Sequence, residues 1–326
     1  RQQLTWFPEP VGQVLRRERR DELTITMDQG GGEDDQIYLF DPTKAKIRLL
    51  TDGESRNRLL RWSPDGRRMA FQSTRRNGRS NDLWLMEPDR PGSSELLMEA
   101  EDGTWLGPAD FSHNRKWLLV QQFINVTDSR IYLLNLKDRT QRLVAGSELE
   151  PSGNRAIAFD RQSKGFYYIT NERGKAAELA WKPLEPEGQT DHITAGIPWD
   201  VSDFALSEDG KRGAFVTNEE GVSRLYLLDT KSRRFSMVGN LPVGVITGLK
   251  FNPDNRRIAL NLSTAQTPND VYVIRLGRSP RNAREMTRWT FSEVGGLDTN
   301  KFSEPKAITY PSWFEELQDD IPIPAF

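Results

Sequence analysis

The sequence predicts an all-β fold, a β-propeller of four-stranded antiparallel blades, on three observations. A short turn motif recurs about every 47 residues. A second and a third apolar strand follow it at fixed offsets. No long helical pattern appears anywhere. Repeats of this period belong to stacked or radial architectures, and about 40–50 residues is the range of a propeller blade.

The turn motif is clearest at Trp62-Ser63-Pro64-Asp65-Gly66. It returns as Phe111-Ser112-His113-Asn114-Arg115, Phe159-Asp160-Arg161-Gln162-Ser163, Leu206-Ser207-Glu208-Asp209-Gly210 and Phe251-Asn252-Pro253-Asp254-Asn255. Pro presets φ, Asp and Asn bond to nearby backbone, and Gly tolerates positive φ, so each pentad closes a strand and opens a tight turn. Seven and nine residues after the anchors lie Met69 and Phe71, Leu118 and Val120, Phe166 and Tyr168, Gly213 and Phe215, and Ile258 and Leu260. The residues between them are mostly apolar too, as expected of strands covered on both faces. The third strand reads Ile37-Tyr38-Leu39, Leu83-Trp84-Leu85, Ile131-Tyr132-Leu133, Leu179-Ala180-Trp181, Leu225-Tyr226-Leu227 and Val271-Tyr272-Val273. A more polar fourth strand, as in Ile47 to Thr51 and His192 to Thr194, suits an exposed sheet edge. The aromatics Trp62, Trp84, Tyr132, Tyr226 and Tyr272 hold fixed places in the repeat and read as blade core.

Six units are recognisable, and closure with six or seven blades is expected. The first is irregular: Val11 to Leu15 and Leu23 to Thr26 would be its inner strands. The run Arg16-Arg17-Glu18-Arg19-Arg20, followed by Asp21-Glu22, reads as a solvated turn. Gln3 to Trp6 resembles a fourth strand of a preceding blade. Residues 1–290 are thus assigned to the propeller and 291–326 to a linker and the start of another domain.

Composition narrows the functions. Of 326 residues, 36% are hydrophobic, 28% are charged, and the net charge is −2, so no basic excess directs the chain to nucleic acid or anionic membrane. No run approaches the ~18 apolar residues of a membrane span. There is no cysteine, which removes disulfides, thiolate chemistry and cysteine-based zinc sites. His113 and His192 are the two histidines; both read as surface residues, and their isolation makes a poor metal site. The acidic turn Gly30 to Asp35 lacks the alternating spacing of a calcium loop and reads as the connector between a second and a third strand. No cofactor, metal or catalytic residue is expected. The candidate binding residues are Trp199 and Asp200, in Gly196-Ile197-Pro198-Trp199-Asp200, where a loop between two units departs from the repeat.

The repeat around Trp62 to Gly66, with Arg67-Arg68-Met69-Ala70-Phe71, resembles that of TolB-type proteins and of the prolyl oligopeptidase family of serine peptidases. The C-terminal part favours the peptidases. Arg288 to Leu297 resembles the propeller exit in bacterial members, of dipeptidyl or acylaminoacyl peptidase type. Ser303 to Ser312 is similar to the linker into their hydrolase domain. Ile323-Pro324-Ala325-Phe326 resembles that domain's first strand, and Arg1 to Val11 an early propeller segment of the same group. Phe314 to Asp320 departs from the aromatic-Asp-Gly turn common at that place. The resemblance implies a non-catalytic propeller that limits substrate access and helps to shape the peptide site of a C-terminal α/β-hydrolase domain, its main partner. The family's nucleophile sits in Gly-x-Ser-x-Gly. Here Gly53-Glu54-Ser55, Gly78-Arg79-Ser80, Gly92-Ser93-Ser94, Gly221-Val222-Ser223 and Gly277-Arg278-Ser279 all lack the second glycine. A stand-alone TolB-like scaffold for protein–protein interaction is the alternative. Compartment, oligomeric state and peptide specificity are not encoded in any motif.

Overall fold

The computed structural model describes residues 5–28, 30–101, 103–174, 176–306, 308–311 and 322–325. Six successive four-stranded antiparallel sheets account for nearly all regular structure in them, with one short 3-10 turn at Thr299–Lys301. The first sheet contains β1 (Val14–Arg16), β2 (Leu23–Met27), β3 (Gln36–Asp41) and β4 (Lys46–Leu49). The second contains β5 (Asn57–Trp62), β6 (Met69–Ser73), β7 (Asp82–Met86) and β8 (Glu95–Met98). The third contains β9 (Trp105–Phe111), β10 (Trp117–Asn125), β11 (Asp128–Asn135) and β12 (Gln141–Ala145). The fourth contains β13 (Asn154–Phe159), β14 (Gly165–Thr170), β15 (Glu178–Pro183) and β16 (Asp191–His192). The fifth contains β17 (Val201–Leu206), β18 (Arg212–Glu219), β19 (Val222–Asp229) and β20 (Phe235–Met237). The sixth contains β21 (Val245–Phe251), β22 (Arg257–Ser263), β23 (Asp270–Leu276) and β24 (Ala283–Arg288). A hairpin of β25 (Ile308–Pro311) and β26 (Pro322–Ala325) follows, with Ile308 opposite Ala325. This is the all-β propeller architecture that the repeat predicts: each sheet is a blade whose strands run in sequence order.

The predicted apolar positions are core. Met69, Phe71, Leu118, Val120, Phe166, Tyr168, Phe215, Ile258 and Leu260 are all buried. Gly213 breaks the apolar pattern for a steric reason: a Cβ there would lie 2.6 Å from the Phe204 ring, which already fills the space. The outer strands are more exposed than the inner ones: β4 is exposed along its whole length, whereas β8, β20 and β24 are partly buried and β12 ends on the buried Val144 and Ala145.

Every anchor turn uses the same backbone. The fifth residue of each pentad has positive φ, whether Gly66 (67°), Arg115 (61°), Ser163 (55°), Gly210 (69°) or Asn255 (57°). The two conserved turn bonds recur as well, for example Ser63 N–H to Arg68 O and Gly66 N–H to Ser63 O. The sequence shows glycine at two of these five places, so the left-handed conformation is imposed by the fold on the other three. Gly66 has a second reason, because a Cβ there would stand 2.1 Å from Glu18 O.

The first blade corrects two expectations. Its inner strand begins at Val14, later than Val11, although Gly12 N–H still bonds Thr26 O. The arginine-rich segment is not a solvated turn throughout. Arg17 N–H bonds Glu22 O and Arg20 N–H bonds Arg17 O, the pattern of Ser63 and Gly66, so Arg17 takes the inward-facing Ser63 place. It is 1% exposed, and its guanidinium reaches Glu22, Asp89 and Gly66 O and lies 5.0 Å over the Trp62 ring. Of the strand expected at Gln3 to Trp6, Gln3 and Leu4 lie outside the described residues, and Thr5 and Trp6 are not in a strand.

The chain forms two compact units, Arg1–Arg173 with Trp181–Thr190, and Gly174–Ala180 with Asp191–Phe326. Within the first, side chains latch blades through backbone groups of inner strands. Arg61 Nε donates to Ala109 O, and Gln72 Nε2 donates to Leu106 O. Phe159 N–H donates to Asp110 Oδ2. Within the second, Leu249 N–H donates to Asp203 Oδ2. Ala109 and Leu249 both sit where the ladder slips register, and such irregularities leave backbone groups free to accept or donate elsewhere.

Asp110 makes its latch pH-sensitive. Burial pushes its carboxyl up to about 7, against the Phe159 N–H and the Arg61 charge that favour the ionised form, while Glu18 adds to the rise. A carboxyl raised in the folded state stabilises below its unfolded pKa, and that contribution is lost as pH rises through about 7. Asp110→Asn keeps an acceptor for Phe159 and removes the titration. Wild type should therefore lose on the order of 2–4 kcal/mol relative to this variant between about pH 4 and pH 8. Urea unfolding across that range measures it, and parallel pH profiles would refute it.

Candidate functional site

A second repeated device, invisible in the turn motif, fixes the ends of the outer strands. The residue just before the third-strand triplet is polar and buried in four blades: Gln36, Asp82, Glu178 and Asp270. Each binds the chain leaving the fourth strand. Gln36 Oε1 accepts from Thr51 Oγ1 and Gly53 N–H, and Asp82 Oδ1 accepts from Ala100 N–H. Asp270 accepts from Thr290 Oγ1, Ser292 N–H and Ser292 Oγ, and pairs with Arg288. Threonines at the strand ends complete the pattern: Ile37, Leu179 and Val271 donate their N–H groups to Thr51, Thr194 and Thr290.

In the fourth blade the partner is His192, whose Nδ1 lies 2.9 Å from Glu178 Oε2. This corrects the reading of His192 as a surface residue: its side chain is 19% exposed, because β16 turns it back onto a buried acid. It also ends its strand instead of opening it. His113 is only half-buried at its turn place.

The loop that departs from β16 carries the candidate binding residues. Its end is held by three bonds. Ala177 N–H donates to Asp200 Oδ1 at 2.7 Å, Val201 N–H donates to Ala177 O at 2.8 Å, and Asn218 N–H donates to Asp200 O at 3.0 Å. Trp199 is half-buried and Asp200 exposed. Together with Ala176, Pro198, Asn218, Glu220 and Gly221 they line a shallow cavity of about 350 Å³. The sequence thus places Trp199 and Asp200 together, and the structure adds the β18–β19 turn, which no motif marked. Glu220 holds a positive φ of 51° there, and Gly221 N–H is bound by Asn218 Oδ1. Beneath the turn, Thr217 and Tyr226 both donate to Glu219 Oε1. Burial and that carboxylate push the Tyr226 phenol up to about 12, so it stays a donor.

An aromatic face, a proline and two exposed carboxylates suit recognition of a peptide-like group; the cavity contains no Ser, Thr, Cys or His to act as a nucleophile or base. No group of three or more His, Asp or Glu side chains able to hold a metal ion is found among the described residues.

Residues 17–283 match the family described as the prolyl oligopeptidase N-terminal β-propeller domain. The chain belongs to this family. Its fold is similar to that of prolyl oligopeptidase B from Galerina marginata bound to a 35-mer hydrolysis and macrocyclization substrate. The likeness has 13% identity and a TM-score of 0.75, over 97% of this chain and 45% of that one. A structure from a study of two prolyl endopeptidases matches at 13% identity and TM-score 0.61, over 97% of this chain and 54% of that one. TolB from Acinetobacter baumannii matches at 15% identity and TM-score 0.57, over 82% of this chain and 63% of that one. At such identities the likeness is one of fold. The chain spans about half the length of the prolyl oligopeptidases it matches. No curated protein matches it.

The hairpin β25–β26 refines the reading of the C-terminal part. Ile308–Pro311 is strand, where a linker was expected, and it pairs with Pro322–Ala325. Ser312, the divergent stretch Phe314 to Asp320 and Phe326 lie outside the described residues.

Proposed function

We propose that this chain is the non-catalytic propeller of a serine oligopeptidase, limiting substrate access and helping to shape the peptide site of a C-terminal α/β-hydrolase domain. The observation that carries the proposal is the family match across residues 17–283, from the turn after β1 in the first blade to the start of β24 in the sixth. Residues 1–290 form the propeller, and 291–326 lead into the hydrolase, with the hairpin β25–β26 belonging to that second domain. The peptide bound by the Galerina enzyme supports peptide as the substrate class. Trp199 and Asp200 contact the substrate in this reading, the indole by stacking and the carboxylate by pairing with a cationic group. The fold likeness to TolB supports a stand-alone scaffold as the second reading.

Kinetics on the polypeptide that joins this propeller to its hydrolase domain separate the two. A short fluorogenic peptide should be cleaved readily and an unstructured chain of about a hundred residues hardly at all. Trp199→Ala should raise KM for the short peptide about three- to tenfold with kcat nearly unchanged. Equal cleavage of both substrates, or no hydrolysis of either, would sink the proposal.

A further inference from the structure

A second surface lies between the outer strands of the fifth and sixth blades, and the peptidase reading does not use it. A groove of about 570 Å³ runs there. Its floor is aliphatic and thioether: Val238, Leu241, Ile274 and Met286, with Met237 at one lip, 56% exposed. Arg281 and Arg284 line it from the start of β24. Both are exposed, and neither forms an ion pair among the described residues. Arg281 Nη1 is steadied by Ser236 Oγ at 3.1 Å. The turn that presents these arginines is itself braced, since Arg212 donates to the carbonyls of Gly277, Arg278 and Ser279.

The local charge departs from that of the chain. The protein carries a net −2, yet stretches 229–241 and 275–288 hold eight basic residues against Asp229 and Glu285; with Arg233 paired to Asp191 and Arg288 to Asp270, six remain against those two acids. Glu285 stands beside Arg275, 3.8 Å away, on the exposed edge. An apolar floor with an arginine rim has the composition of a protein-binding patch: arginine meets carboxylates with fixed fork geometry, and methionine adapts to varied apolar anchors.

We propose that this groove binds an acidic segment of a partner protein, seating an apolar side chain on Met237, Leu241 and Met286 and carboxylates on Arg281 and Arg284. An acidic protein segment fits better than nucleic acid, because the groove offers no aromatic face on which a base could stack.

Fluorescence anisotropy of the whole chain with a fluorescein-labelled peptide alternating Glu with Leu and Phe tests the proposal. Saturable binding is expected, weakening about tenfold between about 50 mM and about 500 mM salt. Arg281→Glu with Arg284→Glu should weaken it at least about tenfold, and Met237→Asp about fivefold. Arg284→Ala alters one exposed side chain and should weaken binding about threefold in a protein with unchanged far-UV circular dichroism. Absence of binding would overturn the proposal. So would equal binding of the same peptide with Lys for Glu, tighter binding of short single-stranded DNA, or affinity indifferent to all three groove variants.

Discussion

Arg17→Ala is expected to lower the unfolding free energy by about 3 kcal/mol, one of the largest single losses in the molecule. The guanidinium is 1% exposed and joins two blades: Glu22 lies in its own turn, while Gly66 O and Asp89 lie in the next. The Asp89 hydrogen bond, which outweighs the cost of burial, raises the Arg17 pKa further and keeps the charge in place. Alanine would leave Gly66 O and Glu22 without that donor and strip the stem and cation from the face of Trp62. Asp89 is more than half exposed, so its pair with Arg17 is partly screened and most of the loss comes from the buried carbonyl and the packing. Chemical denaturation followed by far-UV circular dichroism measures the change. Arg17→Lys should recover only part of it, because one ammonium cannot reproduce the bidentate contact. A loss below about 0.5 kcal/mol would return the segment to the solvated turn its sequence suggests.

Asp270→Ala should cost a similar amount, about 3 kcal/mol, and loosen the exit from the sixth blade. Asp270 is fully buried and holds Arg288, Thr290 and Ser292, while Arg288 in turn lies 4.6 Å over the Phe291 ring. Burial opposes ionisation, but the hydrogen bonds from Thr290, Arg288 and Ser292 outweigh it and hold the carboxyl below its ordinary range. A lowered carboxyl stabilises above its unfolded pKa, so this contribution persists at neutral pH and fades as pH falls through the folded value. In the variant, amide hydrogen exchange at Val271 and Trp289 should quicken, since both belong to the ladder that Asp270 closes. Unchanged exchange at these two amides would show that the strand pairing alone holds the exit.

The blade series was legible because burial leaves a periodic trace. Strands covered on both faces must be apolar, and a turn repeated five times keeps its Pro, Asp, Asn and Gly. What sequence conceals here is polar burial. Arg17 looks like one of a run of solvated charges, and only its equivalence with Ser63 shows that its side chain points inward. That equivalence could have been found by extending the turn spacing back from Trp62 to Arg16. Gln36, Asp82, Glu178 and Asp270 stand at one register position before the third-strand triplets, yet they differ in type, so no motif unites them. Their shared role, capping the end of the fourth strand, appears only from hydrogen bonds. The same holds for the candidate site. Trp199 and Asp200 stood out as a break in the repeat, whereas Asn218 and Glu220 come from an ordinary hairpin turn and reach the cavity through folding.

Labelling with a fluorophosphonate probe tests the central claim most directly. This chain alone should remain unlabelled. A polypeptide that joins it to the proposed hydrolase domain should be labelled at a single serine, outside residues 1–326. Labelling of any serine within residues 1–326, or none on the joined polypeptide, would contradict the account.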